Sequence, residues 1–129
     1  MSLKYLGKKN ILIVEDDVFN MQLLQTLLNK LSDMHIIPSY DGSEALQVLQ
    51  SAKEKIDMVL LDLHLPIVNG MDLLMHIRKH YKIEELPVLV ISVDQREKAE
   101  LFQMGANEFI HKPFNIDDLV SKISLHLKK

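Results

Sequence analysis

Four places along the chain carry residues that could do chemistry. Glu15-Asp16-Asp17 follow the apolar run Ile11–Val14, Asp62 follows Met58–Leu61, Ser92 follows Val88–Ile91, and Lys112-Pro113 follow Glu108–His111. Two like charges about 4 Å apart repel by about 4 kcal/mol at an effective dielectric near 20. Carboxylates gathered in one place therefore take up protons or hold a cation. Hard oxygen donors with room for water suit Mg²⁺, with Mn²⁺ or Ca²⁺ as lesser options. An ammonium and a hydroxyl opposite them suit an anion beside that metal. Metal, carboxylate and phosphoryl group together describe phosphoryl transfer to an aspartate. Taken singly the signals are weak: an acidic triplet after a strand is often a solvated helix start, a lone Asp or Ser at a strand end is often a cap, and Lys-Pro says little. Their convergence is what carries the reading.

Convergence depends on the elements that hold them. Short β-rich runs at Asn10–Val14, His35–Tyr40, Asp57–Leu61, Val88–Ser92 and Glu108–His111 alternate with stretches of helical spacing. Leu24, Leu27, Leu28 and Leu31 mark the first helix; Ala45, Leu46, Leu49 and Ala52 the second; Leu73, Leu74 and Ile77 the third. Ile116, Leu119, Val120, Ile123 and Leu127 mark the last, while the fourth, about Gln95–Met104, is weaker, with Ala99 and Phe102 facing one way among charges. Asp41 with Glu44, and Asn115 with Asp118, have the spacing of helix caps. Gly105 stands where a helix would end before the fifth strand.

Strict alternation implies an α/β fold, a doubly wound (βα)5 three-layer sandwich with helices on both faces of a five-stranded parallel sheet. The apolar runs Met58–Leu61 and Val88–Ile91 read as central strands. Pro38 assigns the second strand to an edge. These placements predict the strand order 2-1-3-4-5, whose winding reverses between strands one and three, and ligands bind in that crevice at the strands' carboxyl ends. All four chemical stations fall at that pole.

Composition sets the outer limits. The 129 residues are 47% apolar and 26% charged, which fits one globular domain and excludes a wholly disordered chain. Without cysteine there is neither a disulfide framework nor a thiolate metal site. A net charge of −3, with paired lysines only at Lys8–Lys9 and Lys128–Lys129, argues against direct nucleic-acid binding through bulk charge. No apolar run reaches the roughly 20 residues of a membrane span, and a cytoplasmic location is expected. Residues 1–9 read as a leader and 10–129 as one domain.

With these motifs in place, the sequence resembles the receiver domain of two-component response regulators, over residues 10–129. The matching text is Ile-Leu-Ile-Val-Glu-Asp-Asp at 11–17, Leu-Leu-Asp-Leu-His-Leu-Pro-Ile-Val-Asn-Gly at 60–70, Val-Ile-Ser at 90–92 and Phe-Ile-His-Lys-Pro-Phe at 109–114. The resemblance implies that Asp62 is the phosphoacceptor, attacking the phosphohistidine of a sensor histidine kinase or histidine phosphotransfer protein, or a small phosphodonor. It implies Mg²⁺ held by Asp16, Asp62 and the backbone carbonyl of His64, with Glu15 reaching it through water. Ser92 and Lys112 would bind the phosphoryl oxygens, with Lys112–Pro113 cis. Phe109 would be the switch aromatic, turning inward as Ser92 moves. The fourth helix, fifth strand and fifth helix would then form the output face toward an effector or a phosphorylation-dependent dimer. Such a chain is a signalling switch rather than a turnover enzyme.

Asp17 falls one position past the usual acid pair and reads as a helix cap. Val93 stands where the family has a small residue, so its bulk is expected to narrow access to Asp62. His64 would tune dephosphorylation, or simply be solvated. Asp17-Val-Phe-Asn20 followed by Leu23-Leu24 resembles receivers attached to hybrid sensor kinases, so a module cropped from a longer protein is an alternative. If the receiver is the whole chain, its output comes from a partner. A flavodoxin-like FMN carrier would share the topology but needs a Ser/Thr/Gly-rich loop where three acids stand, and a haloacid-dehalogenase-type phosphatase needs Asp-x-Asp after the first strand. His76 and His80 have the spacing of a metal clip but read as an exposed helix end. The seven methionines, Met21, Met71 and Met104 among them, read as core filler.

Overall fold

The computed structural model describes residues 2–51, 53, 55–65 and 69–127. Ala52, Pro66-Ile67-Val68 of the quoted 60–70 motif, and Lys128–Lys129 lie outside the described residues. Strands β1 (Asn10–Val14), β2 (His35–Ser39), β3 (Met58–Asp62), β4 (Val88–Ser92) and β5 (Glu108–His111) alternate with helices α1 (Val18–Leu31), α2 (Gly42–Ser51), α3 (Gly70–His80), α4 (Lys98–Gln103) and α5 (Ile116–Leu127). The strands form one parallel sheet in the expected order β2-β1-β3-β4-β5.

The sheet's two-residue period divides the core. Leu12, Val14, Val59, Leu61, Val88 and Val90 point to one face, where they meet Ala45, Leu49, Leu73, Leu74, Ile77 and Leu101 of α2, α3 and α4. Ile11, Ile13, Met58, Leu60, Leu89 and Ile91 point to the other, against Met21, Leu24 and Leu28 of α1 and Leu119, Val120 and Ile123 of α5. Every residue of β3 and β4 is buried, as strands covered on both faces require.

Local chemistry sets the helix starts. Asp17 caps α1, its carboxylate accepting from the amides of Phe19 and Asn20. Ahead of α2 the cap is reciprocal: Asp41 Oδ1 accepts from Glu44 N at 2.8 Å, while Glu44 reaches back to Tyr40 N at 2.6 Å. Asn115 Oδ1 accepts from Asp118 N at 3.1 Å ahead of α5. Gly105 ends the α4 segment at φ +106°, a conformation that favours glycine.

The fourth helical segment differs from expectation. A 3-10 turn at Gln95–Glu97 precedes a helix of only six residues, Lys98–Gln103. The tighter turn shifts the phase of the helix after it. Ala99 and Phe102 are consequently exposed, and Leu101 is the residue α4 buries. Residues ahead of β1 are packed onto the domain: Lys4–Leu6 form a 3-10 turn, Leu3 is fully buried among the α1 and α5 side chains, and Leu3 N donates to Leu31 O at 2.6 Å.

Candidate functional site: an acidic pocket bridged by a lysine

Each chemical station leaves the carboxyl end of its strand and meets the others at one pole of the sheet. Glu15 directly follows β1, Asp62 and Ser92 end β3 and β4, and Lys112 directly follows β5. Glu15, Asp62 and Ser92 are 1%, 5% and 1% exposed, whereas Asp16 faces solvent. One carboxylate oxygen from each of Glu15, Asp16 and Asp62 lies within 4.8 Å of the others. Three hard oxygen donors at that spacing, one open to water, fit a divalent cation of the Mg²⁺ type.

Lys112 Nζ bridges the two buried acids, donating to Asp62 Oδ2 at 3.0 Å and Glu15 Oε1 at 3.1 Å. Burial works against the ammonium's charge, but these contacts outweigh it and raise the Lys112 pKa. Glu15 is pushed from its ordinary 4.5 up to about 7, first by burial and then by the neighbouring Asp62 carboxyl; the amide of Asp17 and Lys112 pull the other way. The backbone orients both acids. Asp17 N donates to Glu15 Oε2 at 3.1 Å and His64 N to Asp62 Oδ1 at 3.1 Å, leaving Asp62 with one oxygen on a fixed amide and one on a mobile amine.

Ser92 Oγ accepts from Asp94 N at 3.2 Å, so its hydroxyl proton is not consumed by that contact. The Lys112–Pro113 peptide is cis. Phe109 is buried at 4%, in the core cluster that also holds Leu101 of α4. Val93 is exposed, and its carbonyl lies 3.1 Å from His111 Nε2. The His64 side chain is also exposed, its Nε2 3.8 Å from Glu97 Oε1. Gly70 opens α3 against the loop after β3: a Cβ there would lie 2.4 Å from the Leu63 carbonyl oxygen. The amides of Asp17 and His64, which set the two carboxylates, were not singled out from the sequence; an acid two residues ahead of a polar loop position was the only signal for either.

The family model for the response regulator receiver domain matches residues 11–124. The chain belongs to that family. Proteins with measurable likeness include the response regulator GtcR of Aneurinibacillus migulanus, 31% identical over 94% of this chain and 48% of the relative. The chain thus spans about half the length of the curated relatives it matches first. The receiver domain of the Francisella response regulator 1452 superposes with a TM-score of 0.83 at 26% identity, covering 94% of this chain and 98% of that one. The receiver domain of Ssk1, solved in complex with the histidine phosphotransfer protein Ypd1 of Saccharomyces cerevisiae, shares the fold at 24% identity and a TM-score of 0.78, over 91% of this chain and 87% of that one. Receiver domains act as phosphoacceptor switches, and among the described residues of this one no helix is long and apolar enough to cross a membrane.

Proposed function

We propose that this receiver domain accepts a phosphoryl group on Asp62 from the phosphohistidine of a sensor histidine kinase or histidine phosphotransfer protein, in a Mg²⁺-dependent reaction. The observation that carries the reading is the Lys112 bridge: one ammonium within 3.1 Å of two buried carboxylates, beside a third that faces water. Asp16, Asp62 and the His64 backbone carbonyl would hold the metal, with Glu15 joining through water. When bound, the ion neutralises the charge that builds between the phosphoryl oxygens and the acids.

The remaining steps belong to this chain's own side chains. An oxygen of Asp62 forms the new O–P bond as the N–P bond to the donor imidazole breaks, and the imidazole departs with the electron pair of that bond. Lys112 leaves its carboxylate partners for a phosphoryl oxygen, a short swing for a four-carbon stem. The Ser92 hydroxyl donates to another phosphoryl oxygen. Movement of the segment after β4 then alters the packing around Phe109, which belongs to the same core cluster as Leu101 of α4, and the α4–β5–α5 face changes its affinity for an effector or a second copy. The exposed apolar side chains of Leu23 and Ile116, which share a cavity with Lys112, offer the donor protein a surface next to the phosphoacceptor.

The test is incubation with acetyl phosphate and Mg²⁺, read by intact mass. The expected result is a single added phosphoryl group, abolished by Asp62→Asn and by chelation. Wild-type protein that stays unmodified both with a small donor and with a set of phosphorylated histidine kinases overturns the reading.

A further inference from the structure

A groove of about 650 Å³ lies between α3 and α4, beside the acidic pocket, with which it shares His64. Its floor is Leu63 and Leu65; its α3 wall presents Met71, Asp72 and Met75, and the opposite wall Glu97 of the 3-10 turn, Glu100 of α4 and Met104 just after it. Positions 71, 72 and 75 share one face of α3, and 97, 100 and 104 come from the turn, the helix and the helix end of the other wall. Met75 is 50% exposed, an apolar side chain left half in water.

Two properties define what would fill this groove. Three methionines give its walls flexible, polarizable side chains that adapt to varied apolar shapes. Among the described residues the ionisable lining consists of three carboxylates and His64, with no lysine or arginine. One carboxylate is under-satisfied: Glu97 Oε1 is sequestered from solvent without a hydrogen-bond partner among the described residues, His64 Nε2 standing 3.8 Å away. An acidic occupant would repel these carboxylates, whereas a cationic one would add to the single long contact that Glu97 makes with His64.

We propose that the α3–α4 groove docks a basic amphipathic helix of a partner protein, whose apolar face meets Met71, Met75 and Met104 and whose lysines or arginines meet Asp72, Glu97 and Glu100. A helix in an apolar groove is a recurrent recognition mode, and charge at the rim sets its sign preference.

The probe is a fluorescently labelled synthetic helix of about 15 residues, with leucines on one face and lysines on the other. A control peptide of the same leucines carries glutamate in place of lysine. The full chain is titrated by anisotropy, and contacts are mapped by amide chemical shifts. The lysine peptide is expected to bind with shifts centred on α3 and α4, the glutamate peptide not to bind. The Asp72→Asn, Glu97→Gln, Glu100→Gln triple variant is expected to lose about tenfold in affinity, and Met75→Ser to weaken binding with the fold intact by circular dichroism. No binding, shifts centred on α1 or α5, or an affinity unchanged in both variants overturns the proposal. So does self-association of the chain that the same variants abolish, since the groove would then belong to a second copy.

Discussion

Lys112 stands between two carboxylates that would otherwise repel each other, and its charge does there what a metal would do. Replacing it therefore has two opposed effects. Lys112→Met is expected to slow phosphorylation by acetyl phosphate by about 10²-fold, the usual loss when one charge-stabilising donor is removed. It is also expected to tighten Mg²⁺ binding, because a competing cation has gone; calorimetry and phosphorylation kinetics on one variant read both. Glu15 makes the second residue-scale prediction. Its raised pKa, from 4.5 to about 7, means that the metal-free folded state keeps a proton the unfolded chain gives up. That contribution to stability is fully present below the unfolded value and is lost as pH rises through about 7. Mg²⁺ needs the carboxylate, so its apparent affinity is expected to rise between about pH 6 and about pH 8, with proton release, and Glu15→Gln to flatten the dependence. Val93 is the third case: it is exposed next to Ser92, and Val93→Ala is expected to speed both phosphorylation and decay by opening the approach to Asp62. Unchanged rates would remove that assignment.

At the scale of elements, the end of α3 holds the turns that lead into β4 and β5. Arg78 Nε donates to Gly105 O at 2.7 Å, and its other nitrogens donate to the carbonyls of Tyr81, Lys82 and Leu86 and to Asn107 Oδ1. Asn107 Oδ1 also accepts from Val88 N at 2.9 Å. One guanidinium thus ties the end of α3 to the turn before β4 and the turn before β5. Burial lowers the Arg78 pKa, yet the group stays charged at any ordinary pH. Arg78→Ala is expected to cost about 3 kcal/mol, because several carbonyls lose their donor at once, and to loosen amide exchange protection in the 105–109 segment. Urea unfolding of the two proteins gives the first number, and hydrogen exchange the second. Lysine at this position would restore a charge but not the fork that reaches several acceptors.

At the scale of the whole molecule, the stretch ahead of β1 is a strap across α1 and α5. Leu3 is fully buried in the cluster on that face, Leu6 packs beside it, and Tyr5 bonds Ser124 of α5 through their hydroxyls. Leu3→Ala is expected to destabilise the domain by about 2 kcal/mol, the lower end for a deleted core leucine because a terminal segment can readjust. Thermal unfolding measures it; an unchanged midpoint would show that the burial of Leu3 contributes nothing to the domain's stability.

The candidate site residues, and the pole they share, were legible in the sequence because both are encoded locally. A period of two, a period of 3.6 and the punctuation between them locate strand ends, and parallel winding sends every strand end to the same side. Asp17 as a cap and Gly105 as a helix stop were equally readable, since each acts within a few residues of itself. The phase of α4 was not, because one 3-10 turn rotates the helix behind it, and whether that turn forms depends on packing rather than on propensity. The reach of Arg78, the burial of Leu3 and the pairing of Lys112 with Glu15 join positions far apart in the chain. No local pattern specifies such contacts; they arise when helices dock on the sheet and bring their ends together. The acidic pocket was thus determined by the sequence, and the groove between α3 and α4 was decided only by the tertiary structure, since its two walls come from helices whose separation and rotation are set by the core beneath them.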